Sequence, residues 1–177
     1  AIVAASGISV GDNVMFTKTD AVAQRIEDLP LIKRARVSRK FPDEILVQVE
    51  ERQPVATLLN GNRAFEVDGE SYVIRETALG EPLLQPLITE VPDLGVVEVG
   101  QQLDAPALAE ALTLWRVFEG SVLGRELTLS EIAALDAKDL RMYFQGLPYE
   151  VRWGRGNYEE QFARLDVLWK HLGKAPP

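Results

Sequence analysis

The segment IKRARVSRKFPDEILVQVEERQPVA, residues 32–56, decides the fold of the first part of the chain. Apolar and polar residues alternate up to Lys40 and do so again from Ile45. A period of two is typical of strands that are buried on one side. An aromatic-Pro-Asp sequence, Phe41 to Asp43, separates the two runs. The segment therefore predicts a β-hairpin.

The predicted hairpin carries an unusual amount of charge. Five of the eight residues from Lys33 to Lys40 are basic, and the second strand ends in Glu50 and Glu51. The basic run could bind nucleic acid or lipid headgroups, or it could be the solvated face of a hairpin in which opposite charges face each other. It lacks interleaved aromatic residues, and the chain's net charge of −8 would repel a polyanion. We therefore expect no nucleic-acid binding and favour a solvated face or a protein partner.

Two helices are predicted before the hairpin. The first ends at Gly7, because glycine tolerates the left-handed conformation found at helix ends. The second begins near Thr19 or Asp20, which can cap its first turn, and Pro30 interrupts it. The first part of the chain therefore has the order helix, helix, strand, strand.

The rest of the chain predicts a sheet with two helices. Asn60-Gly61 and Asp68-Gly69 favour tight turns between three short strands, an antiparallel meander. Three further strands are predicted at Ile132–Leu135, Leu140–Phe144 and Tyr149–Trp153. One helix should start at Asp104 with Pro106. A last helix is capped by Asn157 and ends at Gly173, with Phe162, Leu165, Leu168 and Leu172 on one face. Leu87-Ile88 is a brief apolar run between prolines. The fold class is α+β, with helices packed on mostly antiparallel sheet.

The composition is that of a folded globular protein. Hydrophobic residues make up 46% and charged residues 26% of the 177 positions, which argues against disorder. There is no cysteine, which excludes disulfides and thiolate chemistry. No stretch of ~18 apolar residues predicts a membrane span, and the first residues have no signal-peptide pattern.

The residues that usually carry catalysis are scarce. The only histidine, His171, belongs to the last turn of a helix, where histidine more often interacts with the helix dipole. No serine has a Gly-x-Ser-x-Gly context. The carboxylate pairs Asp136/Asp139 and Glu159/Glu160 are explained by a turn and by a helix start, and Gly154 to Asn157 is explained by a tight turn rather than an anion site. We expect no enzymatic activity, metal or cofactor.

Binding through sheet edges remains as the favoured kind of function. Short antiparallel sheets leave unpaired N–H and C=O groups at their rims, where a partner segment can add as a strand. Arg141, Tyr143, Tyr149 and Trp153 lie on the last predicted hairpin, and these residue types often anchor interfaces. The alternative is that Trp153 and one tyrosine belong to the core.

Several segments together resemble one known family. SGISVGDNVMF, IEDLPLIKRARVSRKFPDEILVQVEERQPVA and FEVDGESYVI, in this order, resemble the extracytoplasmic region of the FtsQ (DivIB) family of bacterial cell-division proteins. VRWGRGNYEEQFARL is similar to a later segment of the family. The resemblance covers nearly the whole chain and is strongest from Gly7 to Val73.

The resemblance implies a domain organisation and a location. It implies a POTRA domain at residues 1–51 and the family's β domain at residues 52–177. The first POTRA strand and the last strand of the β domain would be missing, so we expect the native protein to extend beyond both ends. It further implies a single-pass protein of the cytoplasmic membrane, anchored upstream of this chain, with these residues on the periplasmic side at the division septum.

The resemblance also implies a non-enzymatic scaffold of the division machinery and its partners. Upstream division proteins such as FtsK would bind the POTRA strand that contains Arg34, Val37 and Arg39. FtsB and FtsL would bind the end of the β domain, where Arg141, Tyr143, Tyr149 and Trp153 lie. The alternative function is a POTRA-type chaperone or recruitment module of an outer-membrane assembly or translocation system, although the chain has no internal repeat of the kind expected for tandem POTRA domains. An enzyme is the third possibility.

Overall fold

A computed structural model describes residues 2–78, 80–154 and 156–171 of the chain. The chain divides into two compact units, Ala1–Gln53 and Pro54–Pro177. The boundary predicted from the resemblance, after Glu51, lies two residues before this division. Each unit has its own hydrophobic core.

The first unit packs two helices against a two-stranded sheet. Its elements are α1 (Ile2–Ser6), α2 (Thr19–Glu27), β1 (Ile32–Lys40) and β2 (Glu44–Glu51). The strands pair antiparallel, with Val37 opposite Val47. Val22 and Ile26 of α2 are buried against Ile32 and Ala35 of β1. The predicted order of helix, helix, strand and strand is confirmed.

The second unit is built on one seven-stranded sheet. Its strands are β3 (Ala56–Asn60), β4 (Arg63–Val67), β5 (Val73–Glu76), β6 (Leu87–Thr89), β7 (Leu129–Asp136), β8 (Asp139–Phe144) and β9 (Glu150–Trp153). They lie in the order β5-β4-β3-β6-β7-β8-β9. All neighbouring strands are antiparallel except those of β6, which runs parallel to both β3 and β7. The predicted α+β class with mostly antiparallel sheet is confirmed.

Three helices complete the second unit. They are α3 (Pro106–Gly120), α4 (Leu123–Glu126) and α5 (Tyr158–His171). The apolar side of α3 contributes Leu108, Leu112 and Phe118 to the same core as Leu58 and Ile132 of the sheet. The helices therefore cover one face of the sheet, and the alternate residues of each strand point to the opposite face.

The structure corrects several details of the predicted helices. Helix α4, of four residues, has no signal in the apolar periodicity. Helix α3 starts after Ala105 with no side-chain cap, so Asp104 does not have the predicted capping role. Asn157 does cap α5, because its Oδ1 accepts the backbone N–H of Glu160 at 3.2 Å. Leu168 is exposed rather than buried. The predicted end of α5 at Gly173 and the predicted position of Leu172 lie outside the described residues.

Candidate interaction surfaces

Strand β9 forms one rim of the seven-stranded sheet. It pairs with β8 on one side, with Arg152 opposite Arg141 and Glu150 opposite Tyr143. Within the described residues, no strand pairs with its other side. Outward-pointing backbone N–H and C=O groups of an edge strand can form a ladder with an added strand. This rim is therefore a candidate site for binding an extended segment of another chain.

The face of this rim that points away from the helices carries a group of linked polar side chains. Glu150 is at its centre: its Oε2 accepts a hydrogen bond from Tyr143 Oη at 2.9 Å, and its Oε1 accepts one from Arg152 Nε at 2.6 Å. Arg141 lies beside it, with Nη1 3.9 Å from Glu150 Oε2 and Nη2 3.3 Å from Asp139 Oδ2. We call Arg141, Tyr143, Glu150 and Arg152 the rim cluster.

Hydrogen bonds within the rim cluster shift the pKa values of two of its members, Glu150 and Tyr143. The hydrogen bond from Arg152 lowers the pKa of the Glu150 carboxyl, and the hydrogen bond from Tyr143 lowers it further. The hydrogen bond to Glu150, together with burial, raises the pKa of the Tyr143 phenol. The Arg152 side chain stays largely open to solvent while it makes this contact. A partner strand beside β9 would therefore meet an accessible guanidinium.

The structure divides the four residues predicted for this surface. Arg141 and Tyr143 share the face of the rim cluster. Trp153 is buried on the helix side, with its ring 4.3 Å from the ring of Phe162. Tyr149 comes just before β9 and is 52% exposed. Trp153 thus belongs to the core, as in the alternative interpretation, and packs the end of β9 against α5.

Two members of the rim cluster, Glu150 and Arg152, were not predicted from the sequence. Residues two apart in a strand share a face, so the assignment of Trp153 to the core would also have assigned Val151 to the core side. Glu150 and Arg152 would then have fallen on the side of Arg141 and Tyr143. The alternation contained this information, but the prediction treated all aromatic and basic residues as one group.

The opposite rim of the sheet is partly closed by the chain itself. Val73 of β5 donates its N–H to the carbonyl of Gln101 at 2.9 Å, and its own carbonyl accepts the N–H of Gly100 at 2.8 Å. Leu103 donates to the carbonyl of Ser71 at 3.0 Å. The segment from Gly100 to Leu103 therefore occupies the backbone groups of Val73, the first residue of β5, and the carbonyl of Ser71 just before it. The two rims are not equivalent as binding sites.

The three residues predicted for the POTRA surface lie on two faces of the hairpin. Arg34 is exposed on the face away from the helices, opposite Glu50. Val37 packs partly into the core of the first unit. Arg39 is on the same side as Val37, and its guanidinium donates to the carbonyls of Val14 at 3.0 Å and Thr17 at 2.6 Å. The basic run is therefore not one continuous surface.

The residues considered for catalysis have local structural partners. His171 Nδ1 lies 2.8 Å from the carbonyl of Val167, one helical turn earlier. Asp136 and Asp139 face each other across the β7–β8 turn, where Asp139 contacts Arg141. Glu160 pairs with Arg164 along α5. Arg155, at the turn considered for an anion, lies outside the described residues.

Residues 2–78, 80–154 and 156–171 contain no group of three or more His, Asp or Glu side chains arranged to hold a metal ion. In the same residues, no helix has both the length and the apolar character needed to cross a bilayer.

Comparison with known proteins gives consistent matches. Residues 1–52 match the family model described as POTRA domain, FtsQ-type. The chain is 29% identical over 173 residues to the cell division protein FtsQ of Syntrophotalea carbinolica, covering 97% of this chain and 60% of the relative. It is 32% identical over 160 residues to FtsQ of an Anaeromyxobacter species, covering 90% of this chain and 53% of the relative. For FtsQ of Streptomyces griseus the identity is 29% over 177 residues, covering 98% of this chain and 80% of the relative. The chain thus spans little more than half the length of the first two relatives.

Proposed function

Because this chain belongs to the FtsQ family, with an FtsQ-type POTRA domain in residues 1–52, we propose that it is the partner-binding region of a non-enzymatic scaffold for cell division. In this proposal the protein is anchored in the cytoplasmic membrane, and the two units lie on its outer side at the division septum. The scaffold connects division proteins that arrive earlier with those that arrive later.

The observation that carries this proposal is the rim at β9, whose outer side pairs with no strand of the described residues. A segment that adds beside Glu150–Trp153 gains backbone hydrogen bonds, and the side chains on both faces of the strand then determine which segment fits. On one face the segment meets Arg152, and on the other it meets Val151 above the core. We propose that extracytoplasmic segments of FtsB and FtsL bind here.

The first unit is proposed to bind an upstream division protein such as FtsK. Arg34 supports this role because it is exposed on the face of β1 and β2 that the helices leave uncovered. Val37 and Arg39 would contribute indirectly, since Val37 packs in the core and Arg39 holds the loop before α2. Charge reversal by Arg34→Glu should therefore weaken recruitment with little effect on folding, because exposed charges usually contribute ~0.5 kcal/mol or less to stability.

Hydrogen–deuterium exchange on the chain with a synthetic extracytoplasmic segment of FtsB tests the proposed site. We expect slower exchange at residues 150–153 of β9 when the segment is bound, because an added strand would protect outward N–H groups. The amides of Val73–Glu76 on the partly closed rim serve as the internal control and should change little. Binding without protection of β9 would contradict the proposed site, and no binding of either FtsB or FtsL segments would contradict the proposed function.

Charge substitutions provide a second test of the same site. Arg152→Glu should weaken binding of the FtsB segment by about fivefold or more if a complementary charge approaches the rim. Lys138→Glu is the matched control, because Lys138 is an exposed cation in the β7–β8 turn, outside the rim cluster. Equal effects of the two substitutions would indicate a general effect of net charge rather than a contact at β9.

A further inference from the structure

Two turns of the first unit display large apolar side chains to solvent. Met15 and Phe16, in the loop between α1 and α2, are 63% and 82% exposed, and Phe41, in the β1–β2 turn, is 65% exposed. Exposed apolar side chains that occur together usually mark an interaction surface. We call Met15, Phe16 and Phe41 the apolar tip.

Arg39 joins the two turns. It belongs to β1, two residues before Phe41, and its guanidinium donates to the carbonyls of Val14 and Thr17, which flank Met15 and Phe16. The α1–α2 loop is therefore fixed beside the end of the hairpin. The three apolar side chains are held at one end of the first unit.

Part of the backbone of this loop is already hydrogen-bonded within the protein. The N–H of Met15 donates to Asn13 Oδ1 at 2.9 Å, and the N–H of Phe16 donates to the carbonyl of Asn13 at 3.1 Å. The flanking carbonyls accept from Arg39, as described above. An unsatisfied backbone group is costly in an apolar medium, so a loop with these bonds can leave water at a lower cost.

The charged residues around the apolar tip fit the headgroup region of a bilayer. Lys18 lies two residues after Phe16 and Lys40 lies directly before Phe41; both are exposed, and Lys40 pairs with Glu44. Long cationic side chains can reach phosphate groups while neighbouring apolar groups enter the acyl boundary. Of the nearby carboxylates, Asp12 accepts the N–H of Ser9 and Glu44 pairs with Lys40. Asp43, in the same turn as Phe41, limits insertion to a shallow depth.

We propose that the apolar tip inserts into the surface of a lipid bilayer, so that the first unit contacts a membrane directly. Phe and Met side chains that are exposed on two adjacent turns, next to lysines, can enter the interfacial layer of a bilayer. This lipid contact is separate from the rim at β9. The proposed protein-binding function can therefore fail while the lipid contact holds, and the reverse is equally possible.

Vesicle flotation of the 177-residue chain tests the proposal. We expect the chain to float with vesicles of phosphatidylethanolamine and phosphatidylglycerol, and less with vesicles of phosphatidylcholine alone, because the lysines favour anionic headgroups. The triple variant Met15→Ser, Phe16→Ser, Phe41→Ser should reduce the bound fraction by about tenfold, since it removes the inserting apolar area. The control Leu83→Ser, Val96→Ser, Val99→Ser, which changes exposed apolar residues of the second unit, should bind like the parent.

A second variant tests insertion without removing apolar area. The tryptophan emission of Phe16→Trp, taken as the difference from the parent, should shift to shorter wavelength on vesicles and be quenched by brominated lipid. Equal flotation of parent and tip variant, no flotation of the parent on either vesicle, or no quenching of Phe16→Trp would each overturn the proposal. The proposal would also be overturned if the parent did not bind vesicles and the tip variant lost binding to a division-protein segment. Thermal unfolding of every variant checks that the fold is retained.

Discussion

The indole ring of Trp153 packs on the phenyl ring of Phe162, with the ring centroids 4.3 Å apart. Trp153 is the last residue of the open strand β9, and Phe162 is on helix α5. Phe162 also contacts Phe118 of α3, at 5.7 Å between centroids. The position of the candidate binding rim therefore depends on one buried aromatic group.

Phe162→Ala should destabilise the second unit strongly. Phe162 is fully buried, and truncating a buried phenylalanine typically costs about 3–5 kcal/mol, because it removes apolar contacts and leaves a cavity. Urea denaturation followed by circular dichroism measures the change. Leu168→Ala on the same helix is the control, because Leu168 is 57% exposed, and it should change stability by ~0.5 kcal/mol or less. Similar losses for the two variants would contradict the assigned core.

Gly124→Ala should destabilise the packing of α4 against the end of α3. A Cβ atom at Gly124 would lie 2.1 Å from the carbonyl oxygen of Phe118, which is backbone and cannot move aside alone. We expect a loss of about 1–3 kcal/mol in the free energy of unfolding, the usual cost of overpacking. Gly120→Ala is the matched control, because a Cβ there meets no atom within 4 Å. A Gly124→Ala protein as stable as the control would show that this close approach is absent.

Tyr158→Phe should lower stability and change its dependence on high pH. The Tyr158 hydroxyl donates to Glu110 Oε2 at 2.8 Å, and burial together with this bond raises the pKa of the phenol. The substitution should cost about 1 kcal/mol at pH 7. A raised pKa in the folded state gives stability that is complete below the unfolded value, near pH ~10, and is lost as the pH rises above it.

Denaturation at pH 7 and between pH 9 and 11 measures both parts of the Tyr158 prediction. The parent should lose stability more steeply with pH than Tyr158→Phe. Glu119→Gln, at an exposed position of α3, should behave like the parent, whereas Glu110→Gln should also be less stable at pH 7. Identical pH profiles for parent and Tyr158→Phe would contradict the assigned hydrogen bond.

Arg39→Gln should loosen the loop before α2. The substitution replaces the guanidinium, which donates to the carbonyls of both Val14 and Thr17, with a shorter amide that cannot reach both. Amide exchange of residues 14–17 should become about fivefold faster or more. In the parent, local opening of the loop must break the two bonds from Arg39, and in the variant this cost is reduced. Arg36→Gln, on the opposite face of β1, should leave the exchange unchanged. Equal exchange in both variants would mean that Arg39 does not fix the loop.

The alternation of the sequence was sufficient to predict much of the fold. The β1–β2 hairpin, and the strands on either side of Asn60-Gly61, follow from local chemistry: side chains that alternate between two faces and turn residues that accept positive φ. Such signals depend only on neighbouring residues. They survive in the structure because tertiary packing agrees with them.

Features that depend on distant residues were not predictable in the same way. Strand β6 has only three residues, and it enters the middle of the sheet through parallel pairs with β3 and β7 that no local pattern specifies. Leu168 fits the helical period of α5, but the apolar residue that packs on the core beyond Leu165 is Trp169. The role of Arg39 depends on a loop more than 20 residues earlier in the chain.

The partly closed rim at β5 also has a consequence for self-association. A sheet with two free rims can stack end to end with its own copies and grow into a fibre. In the second unit, hydrogen bonds between the segment from Gly100 to Leu103 and residues Ser71 and Val73 occupy part of the β5 rim, so strand addition is less favourable there than at β9. A sheet edge that can accept an added strand is thus compatible with a protein that forms finite complexes instead of polymers.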